Sequence, residues 1–568
     1  MENMRNCMNR KQNGTIGEVI KMSKVFVILF DKEMRLNREF LTVEIIAAIL
    51  EKNGVNNEII SVEYDKEILN EDELRKVDWE KIKFVGIPFM YEESDKIKSV
   101  MQIIKSINPT IHIAFLYEVL PITKDSHKLN NTKLSTNMFL GGLNILECVQ
   151  EIFDEFLHVD SLILGEPEVT LLDLVNCVLK NKTLEKCNGI AYRIHNGFIC
   201  TESRELIKDL DKIPFAKRTY LERFKSKTAR ILTSRGCAGQ CTFCAESRVY
   251  NYNNGQPKWR GRSPKNIVDE MEYLNKQYGV TNYSILDNSI EDPISNNFKR
   301  LNDICDEIIK RKLDIFYTVH MRAENVNKFD TVLLKKLKES GLLRVCIGIE
   351  SGYEQTLTLF NKIASVNENI AAIRKLHDNG INFYVGFIMY HPYTTKKELI
   401  ENYNFIKQLG IGYLNIFNTE LWLYKNTPLY FKVKNDNLLC QKNIAGHPIG
   451  YVFKDEEIIM YYKMSKKYFK NKCLLQDGNL ALVNDLIKKR EKYGKLPDLY
   501  FQMKKRINEY LVALNDLQLK LFEGIIFQHE CSLLDELREK IDILDLNMED
   551  NTNKFLIAEA RYSFKNKS

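Results

Sequence analysis

The sequence predicts an α/β protein in three parts: an N-terminal Rossmann-like parallel sheet domain, a central partial (β/α)6 barrel and a mainly helical C-terminal region. Up to residue 432, short apolar runs rich in β-branched and aromatic residues alternate with segments of helical spacing, and such alternation builds parallel sheets. Beyond residue 433 the alternation stops, and the chain becomes Lys-rich with helical spacing. At 568 residues the chain is long enough for three or four domains.

The N-terminal part opens with a polar tail over residues 1–23, followed by a Rossmann-like domain over residues 24–205. Its predicted strands include KVFVILF (24–30), FVGIPFM (84–90) and IHIAFLY (111–117). Helical spacing follows the first of these strands in REFLTVEIIAAILEKNG (38–54), which ends on a glycine. VDSLILGEPEVTLLDLVNCVLKN (159–181) adds a strand, a Gly-Glu turn and a helix. These elements predict a doubly wound sheet.

A linker over residues 206–224, which contains DLDKIPFAKR, separates this domain from a barrel over residues 225–432. ARILTSRG (229–236) is predicted to be the first barrel strand, and YLNIFNTELWL (413–423) the last. Six strand and helix pairs fit a partial barrel better than a closed eightfold one. Residues 433–568 form the helical C-terminal region, whose composition does not indicate a role.

Composition excludes several classes of protein. With 44% hydrophobic and 28% charged residues the chain is typical of globular proteins. The longest apolar run, EIIAAIL (44–50), is far shorter than the ~20 residues of a membrane span, and the N-terminus lacks the apolar core of a signal peptide. We therefore expect a cytoplasmic protein with no membrane span. A net charge of +6 over 82 basic and 76 acidic residues, with no long basic block, gives no indication of nucleic-acid binding.

Three cysteines lie close together in ILTSRGCAGQCTFCAESRVY (231–250), where Cys237, Cys241 and Cys244 form a C-x3-C-x2-C array. The other ten cysteines are scattered singly, as buried small residues are. Structural zinc needs four closed ligands, and no fourth Cys or His lies within twenty residues on either side. A cubane iron–sulfur cluster with three thiolates fits better, because one iron then stays open to bind a ligand.

The cysteine array on the loop after the first strand of a partial barrel resembles the radical SAM superfamily. The resemblance covers about residues 225–430 and includes SILDNS (284–289), GIESGYEQTL (348–357), FIMYHPYTTKKEL (387–399) and LYKNTPLY (423–430). It implies that the three thiolates hold a [4Fe-4S] cluster whose open iron binds S-adenosyl-L-methionine (SAM). Electron transfer from an external donor such as flavodoxin or ferredoxin would then release a 5'-deoxyadenosyl radical. The aromatic Phe243, in CTFC, is expected near the adenine.

The domain order is similar to that of the subgroup with an N-terminal cobalamin (B12)-binding domain. Members that bind cobalamin through a histidine carry an Asp-x-His-x-x-Gly loop, whereas this chain has FDKEMRLNREF (30–40), with neither His nor Gly. The strand IHIAFLYEV also lacks the paired glycines that usually follow it in the family. We therefore expect either cobalamin bound without a His lower ligand or a scaffold domain that binds none.

Polar residues at predicted strand ends are the candidate cofactor ligands. Glu350 and Ser351 follow the strand LLRVCIGI, with Gly348 and Gly352 leaving room for a ligand, although Ser351 could instead cap a helix. Asp287 could bind ribose or substrate, or belong to a turn. Arg322 could pair with the SAM carboxylate or with Glu324.

Three further residues or segments have predicted roles. His391 and Tyr393 are substrate-side candidates at the barrel mouth, and WRGRSP (259–264) is expected to be a loop with solvated arginines.

Two functional classes remain open from the sequence. The first is a radical SAM enzyme: either a cobalamin-dependent methyltransferase acting on an unactivated carbon of a small-molecule or peptide substrate, or a cobalamin-independent enzyme of rearrangement, cyclisation or crosslinking. Methylthiolation of tRNA is disfavoured, because Cys7 is the only cysteine before Cys148 and that group carries an extra N-terminal set. The second class is a non-catalytic iron–sulfur or zinc protein.

Overall fold

The structure is a computed structural model. It describes residues 24–32, 41–65, 68–69, 74, 77–88, 94–116, 145–224, 226–245, 259–291, 297–425, 427–440, 448–469, 479–492, 494 and 496–565. The predicted tail 1–23 lies outside the described residues. Most of the loop compared with the cobalamin motif (33–40) and the stretch after IHIAFL (117–144) do so too.

The N-terminal domain is built on a mixed sheet with a parallel centre. Its strands are β1 (Lys24–Lys32), β2 (Asn57–Asp65), β3 (Ile68–Leu69), β4 (Ile82–Pro88), β5 (His112–Leu116), β6 (Ser161–Ile163), β7 (Ile190–Ile194) and β8 (Gly197–Cys200). They lie in the order β3-β2-β1-β4-β5-β6-β7-β8. Five neighbouring strands run parallel, in the order β2-β1-β4-β5-β6. The edge strands β3, β7 and β8 are antiparallel, and the sequence did not predict them. The order of the parallel strands is that of a flavodoxin-like doubly wound sheet.

Helices cover both faces of this sheet. They are α1 (Leu41–Lys52), α2 (Ser94–Ile107), α3 (Ile145–Glu155) and α4 (Pro167–Leu179). One buried apolar cluster joins α2 and α3 to the sheet, and a second joins α1 and α4 to the opposite face. The carboxyl ends of the parallel strands are thus left as the open edge, where doubly wound folds bind ligands.

The central region holds a second, wholly parallel sheet. After α5 (Thr219–Phe224), its strands are β9 (Thr228–Ile231), β12 (Asn282–Ile285), β13 (Phe316–Arg322), β14 (Leu342–Glu350) and β15 (Asn382–Phe387), with a hairpin of β10 (Ser234–Gly236) and β11 (Trp259–Gly261) beside them. The helices are α6 (Pro264–Tyr278), α7 (Lys299–Lys310), α8 (Ala323–Val326), α9 (Thr331–Ser340), α10 (Glu354–Leu359), α11 (Val366–Asp378) and α12 (Lys396–Leu409). The strand order β15-β14-β13-β12-β9 is that of a partial barrel.

Two strand predictions in this region were wrong. ARILTSRG is not one strand but two, since β9 ends at Ile231 and β10 turns away to pair antiparallel with β11. The predicted sixth strand, YLNIFNTELWL, joins the sheet only through an isolated parallel bridge between Tyr390 and Glu420. A short apolar run cannot be distinguished from a buried loop by periodicity alone.

Helix ends in the barrel follow their local sequence. Ser263 caps α6 by accepting a hydrogen bond from Asn266 N at 3.2 Å, Pro264 occupies the first turn, and Gly279 ends the helix in the left-handed conformation. Ser365 and Glu368 form a capping box at the start of α11. These caps fix where each helix leaves the sheet.

The C-terminal region is mainly helical, as predicted. It contains α13 (Pro428–Asn435), α14 (Glu457–Tyr468), α15 (Asn479–Lys492), α16 (Asp498–Ile526) and α17 (Cys531–Lys565), with short strands β16 (Leu423–Tyr424) and β17 (Pro448–Ile449). Residues of α14 to α17 belong to the same buried apolar cluster as the barrel strands. None of the helices in the described ranges is long and apolar enough to cross a membrane.

The C-terminal helices cover the side and the amino end of the barrel. The ring of Phe522 in α16 lies 4.7 Å from that of Phe417, in the segment predicted as the sixth strand. Asp485 in α15 pairs at 2.8 Å with Arg344 near the start of β14, and Lys492 lies over the ring of Phe316, the first residue of β13. The contacts of Arg344 and Phe316 are at the end of the sheet opposite the strand carboxyl ends.

Candidate functional site

The cysteine loop follows β10 at the carboxyl end of the central sheet. Cys237, Cys241 and Cys244 are all half-buried. Gly239 N donates to Cys237 Sγ at 3.3 Å, and a Cβ at position 239 would lie 3.4 Å from Cys237 Sγ and 3.8 Å from Cys241 Sγ. These two thiols therefore flank a residue whose lack of a side chain keeps the space between them open.

The donor chemistry of this loop suits a multi-iron cluster. In the described residues, no three His, Cys, Asp or Glu side chains are close enough together to share one metal ion. In a cubane cluster, by contrast, each thiolate binds a different iron, so the three cysteines need not converge on one metal ion. Burial raises the pKa of the Cys241 thiol, and the ammonium of Lys362 acts in the opposite direction.

Residues 359–361, at the end of α10, hold the cysteine loop by hydrogen bonds, and we call them the latch segment. Thr242 N donates to Phe360 O at 2.9 Å, and Thr242 Oγ1 donates to Leu359 O at 2.7 Å. Asn361 Nδ2 donates to Gln240 O at 2.9 Å. The middle of the cysteine loop is thereby fixed to the segment that leads away from β14.

An ion-pair network joins the cysteine loop to the N-terminal domain. Glu166, just after β6, accepts hydrogen bonds from Arg235 Nη1 at 2.9 Å and from Arg260 Nη2 at 2.7 Å. Glu168 pairs with Arg235 as well. The side chains of all four residues are at most 9% exposed. Since Arg235 lies two positions before Cys237, the open edge of the N-terminal sheet lies next to the cysteine loop.

The prediction of solvated arginines in WRGRSP was wrong. Besides Arg260, Arg262 is largely buried and donates to Glu270 Oε2 at 2.6 Å. Glu270 also pairs at 2.6 Å with the fully buried Arg218 from the linker. Arg260 and Arg218 pair with residues 94 and 52 positions away, and local composition gave no sign of these pairs.

Phe243, the predicted adenine contact, packs into an apolar cluster of the late barrel. Its ring lies 4.9 Å from that of Phe360 in an edge-on arrangement, against a group that includes Ile388 and Leu429. This packing holds the Phe243 ring against the late barrel. Contact between Phe243 and the adenine stays a prediction.

Asp287 ties two loops together. The residue is 1% exposed, and its carboxylate accepts hydrogen bonds from Thr233 N and Ser234 Oγ, both at 2.6 Å, as well as from the Thr233 hydroxyl. These bonds join the end of β12 to the turn between β9 and β10. The arrangement accounts for Asp287 as a structural residue, and a role in binding ribose stays a prediction.

Arg322, at the end of β13, pairs with Glu324 as the sequence allowed. Its Nε donates to Glu324 Oε1 at 2.6 Å, and its backbone N donates to Glu291 Oε1 at 2.8 Å. In the described part of the chain, the buried Nη1 of Arg322 and Oε2 of Glu291 have no hydrogen-bond partner. A buried donor and a buried acceptor are costly to leave unpaired, which makes these two atoms candidates for ligand binding.

Glu350 and Lys362 form a buried ion pair at the end of β14. Lys362 Nζ lies 3.4 Å from Glu350 Oε1 and donates to Gly348 O at 3.1 Å, and the side chains are 8% and 13% exposed. Glu350 has φ +68, a left-handed conformation unusual for a residue with a side chain. Burial raises the pKa of Glu350, although Lys362 opposes the shift.

The two glycines beside Glu350 make room for protein groups. A Cβ at Gly348 would lie 2.8 Å from Glu350 Oε1, and one at Gly352 would lie 2.4 Å from the Phe405 side chain. The predicted space for a ligand is therefore filled by the carboxylate of Glu350 in the first case and by the Phe405 ring in the second.

Ser351 is fully buried and bonded within the protein. Its hydroxyl donates to Asn402 Oδ1 at 3.0 Å and accepts from Tyr353 N at 3.1 Å. Ser351 lies just before α10, close to where a helix cap was predicted as the alternative to a ligand role. The N-cap residue of α10 is Tyr353, not Ser351. A role for Ser351 in binding SAM stays a prediction.

The two substrate-side candidates differ in their surroundings. His391 is 1% exposed, and its Nε2 lies 3.1 Å from both carboxylate oxygens of Glu398 behind the ring of Phe360. Tyr393 donates its hydroxyl hydrogen to Asp436 Oδ2 at 2.7 Å. These contacts give His391 a structural role.

The described histidines of the N-terminal domain lie away from its open edge. His112 is the first residue of β5, bonded at 2.8 Å to Ser161 Oγ, and burial lowers its pKa to about 4. His158 precedes β6 at the same end of the sheet, and His195 follows β7, which runs antiparallel to β6, so it also lies there. The carboxyl ends of the parallel strands are about 13 Å from His112, given ~3.3 Å per strand residue. The three described histidines of this domain therefore lie at the end of the sheet opposite its open edge.

Residues 231–406, which include the cysteine loop, match the model of the Radical SAM superfamily. This central region is therefore a radical SAM domain.

Comparison with individual proteins adds three similarities. An uncharacterized methyltransferase of Pyrococcus horikoshii is 29% identical over 357 residues, 61% of this chain and 73% of that protein. The anaerobic magnesium-protoporphyrin IX monomethyl ester cyclase of Rubrivivax gelatinosus is 28% identical over 364 residues, 62% of this chain and 59%, under two thirds, of the cyclase. A structure of the cobalamin-dependent S-adenosylmethionine radical enzyme OxsB, with aqua-cobalamin and S-adenosylmethionine bound, has a TM-score of 0.65 at 17% identity, over 96% of this chain and 80% of OxsB.

Proposed function

We propose that this chain reductively cleaves SAM at a [4Fe-4S] cluster held by Cys237, Cys241 and Cys244. The observation that carries this proposal is the cysteine loop itself, which the latch segment fixes beside buried charged groups at the ends of β13 and β14. When bound, the cluster supplies one electron to the sulfonium and an open iron for the amino and carboxylate groups. Arg322 and Glu350 would bind charged or polar groups of SAM, and Phe243 would contact its adenine.

We further propose that the reaction is a cobalamin-dependent methylation of an unactivated carbon. The flavodoxin-like strand order, the open edge beside the cysteine loop and the likeness to OxsB support a cobalamin there. The relative in Pyrococcus horikoshii is named a methyltransferase, which supports methyl transfer. The name of the Rubrivivax relative favours cyclisation as the second candidate.

The cluster is tested by iron analysis of anaerobically reconstituted protein. We expect about four irons per chain and formation of 5'-deoxyadenosine under reduction. Cys241→Ala should lose both, whereas Cys531→Ala, at an exposed cysteine, should lose neither. Four irons retained by Cys241→Ala would contradict the ligand assignment, and a wild-type cluster that never cleaves SAM would favour a non-catalytic iron–sulfur protein.

Cobalamin binding is tested by loading the protein with hydroxocobalamin and passing it through gel filtration. We expect retained cofactor with the absorption spectrum of a cobalt without an imidazole ligand. The spectrum should be the same after separate replacement of His112, of His158 and of His127, which lies outside the described residues. Loss of the cofactor from the wild type would favour the scaffold alternative, and transfer of labelled methyl from SAM to a substrate would distinguish methylation from cyclisation.

A further inference from the structure

We propose that the buried charge of Lys362 sets how easily the [4Fe-4S] cluster is reduced, in opposition to the charge of Glu350. This inference rests on the proposed function, since it concerns the cluster assigned to the three cysteines. Neither the motif comparison nor the sequence pattern indicated Lys362, which lies twelve positions after Glu350.

The position of Lys362 is fixed on two sides. Its ammonium donates to Gly348 O at 3.1 Å and lies 3.4 Å from Glu350 Oε1, and its side chain is only 8% exposed. Its backbone N donates to Leu357 O at 2.9 Å, which anchors it at the end of α10. A lysine held in this way cannot turn its charge toward solvent.

The latch segment brings this charge to the cysteine loop. Residues 359–361 are hydrogen-bonded to Gln240 and Thr242, on either side of Cys241, and Lys362 is the next residue along the chain. The charge balance agrees with this placement. Burial lowers the pKa of Lys362, but the charge of Glu350 and, after it, the neighbouring Cys241 outweigh burial and leave the pKa raised.

A fixed charge beside the cluster acts on its reduction by simple electrostatics. The cluster gains one electron from a low-potential one-electron donor, no proton moves, and the negative charge of the site increases by one. A nearby ammonium in a poorly solvated site stabilises the added charge, and a carboxylate destabilises it. Charge and solvent exposure are among the properties that set the potentials of iron–sulfur clusters.

Four variants distinguish the effect of the Lys362 charge on the cluster potential from the effect of the Glu350 charge. Lys362→Met should lower the equilibrium constant for one-electron reduction about tenfold, which corresponds to a potential about 59 mV more negative. Lys362→Arg keeps the charge and should stay close to wild type. Glu350→Gln should move the potential in the positive direction, and the double variant Lys362→Met/Glu350→Gln should return close to wild type.

The measurement is a redox titration of the reconstituted protein without SAM, in which electron paramagnetic resonance reports the reduced cluster. Lys335→Met, at a lysine 76% exposed on α9, controls for net charge. The proposal is overturned if Lys362→Met matches Lys335→Met, or if Lys362→Arg shifts as far as Lys362→Met.

Two further outcomes keep the test decisive. If Lys362→Met does not fold, Glu350→Gln and the double variant still test the inference, because the double variant leaves no unpaired buried charge. A positive shift in Glu350→Gln with a double variant near wild type supports it, and equal potentials in these two variants overturn it. A wild-type protein that binds no cluster would instead contradict the proposed function.

Discussion

Glu166 Oε1 lies 2.9 Å from Arg235 Nη1, and this contact ties the end of an N-terminal strand to the residue two positions before the first cysteine. Burial opposes ionisation of Glu166, yet Arg235 and Arg260 hold its pKa below the ordinary value. The pair is therefore a true ion pair between two domains.

Glu166→Gln should lower the free energy of unfolding by about 3 to 5 kcal/mol, because it removes the carboxylate that the two buried guanidinium groups of Arg235 and Arg260 share. Urea unfolding measures the change. Glu205→Gln, at a carboxylate 66% exposed, is the matched control and should be nearly neutral. A loss below about 0.5 kcal/mol in Glu166→Gln would show that Glu168 alone neutralises the arginines.

Low pH should weaken the buried ion pairs that Glu270 makes with Arg218 and Arg262. Burial raises the pKa of this carboxyl, but Arg262 and Arg218 outweigh it and hold the pKa below 4.5. A depressed folded-state pKa stabilises the protein above about pH 4.5 and loses that contribution as the pH falls below it. The difference in melting temperature between wild type and Glu270→Gln should therefore narrow between pH 6 and about pH 3.5. A constant difference across this range would contradict the prediction.

Glu350→Gln should weaken SAM binding while the iron content stays at the wild-type level. Loss of one charge-assisted hydrogen bond costs about 1.5 to 3 kcal/mol, or about 10- to 150-fold in affinity. A SAM titration followed by the electron paramagnetic resonance of the cluster gives the dissociation constant. A value within about twofold of wild type would place the SAM contact elsewhere, with Arg322 as the next candidate.

Phe522→Ala should destabilise the barrel as well as the helical region. The Phe522 ring is fully buried between Phe417 and Phe469, and such a truncation costs about 3 to 5 kcal/mol. Exposed Phe527, 52% accessible, provides the control variant Phe527→Ala. Two separate unfolding transitions in Phe522→Ala, with the barrel unaffected, would argue against a shared core.

The sequence correctly predicted features that depend on a local pattern of residues, such as the ends of strands. Alternation placed Glu350 at the end of β14 and Arg322 at the end of β13, and both are there. It could not find Lys362, whose partners are set by the path of the chain around α10. Arg260 was misjudged for a similar reason, because its partner Glu166 lies 94 positions earlier and arginines are usually exposed.

Most of the other incorrect predictions concern loop segments. Gly348 and Gly352 were predicted to leave room for a ligand, but the structure shows that protein groups fill both spaces. The segment 413–423 was apolar enough for a strand, yet it has only an isolated bridge to Tyr390, and the side chain of Asn418 donates to Phe469 O in the C-terminal region. Such pairings depend on residues that no local pattern contains.

The apolar cluster that unites the barrel strands with α14 to α17 has a consequence for how the protein is made. Its members run from Leu221 to Phe555, so a ribosome must release nearly the whole chain before that cluster can close. The cysteine loop, held by the latch segment, leaves the ribosome more than three hundred residues before the last of these contacts. We therefore expect the cysteine loop to be synthesised well before the core that supports it can close.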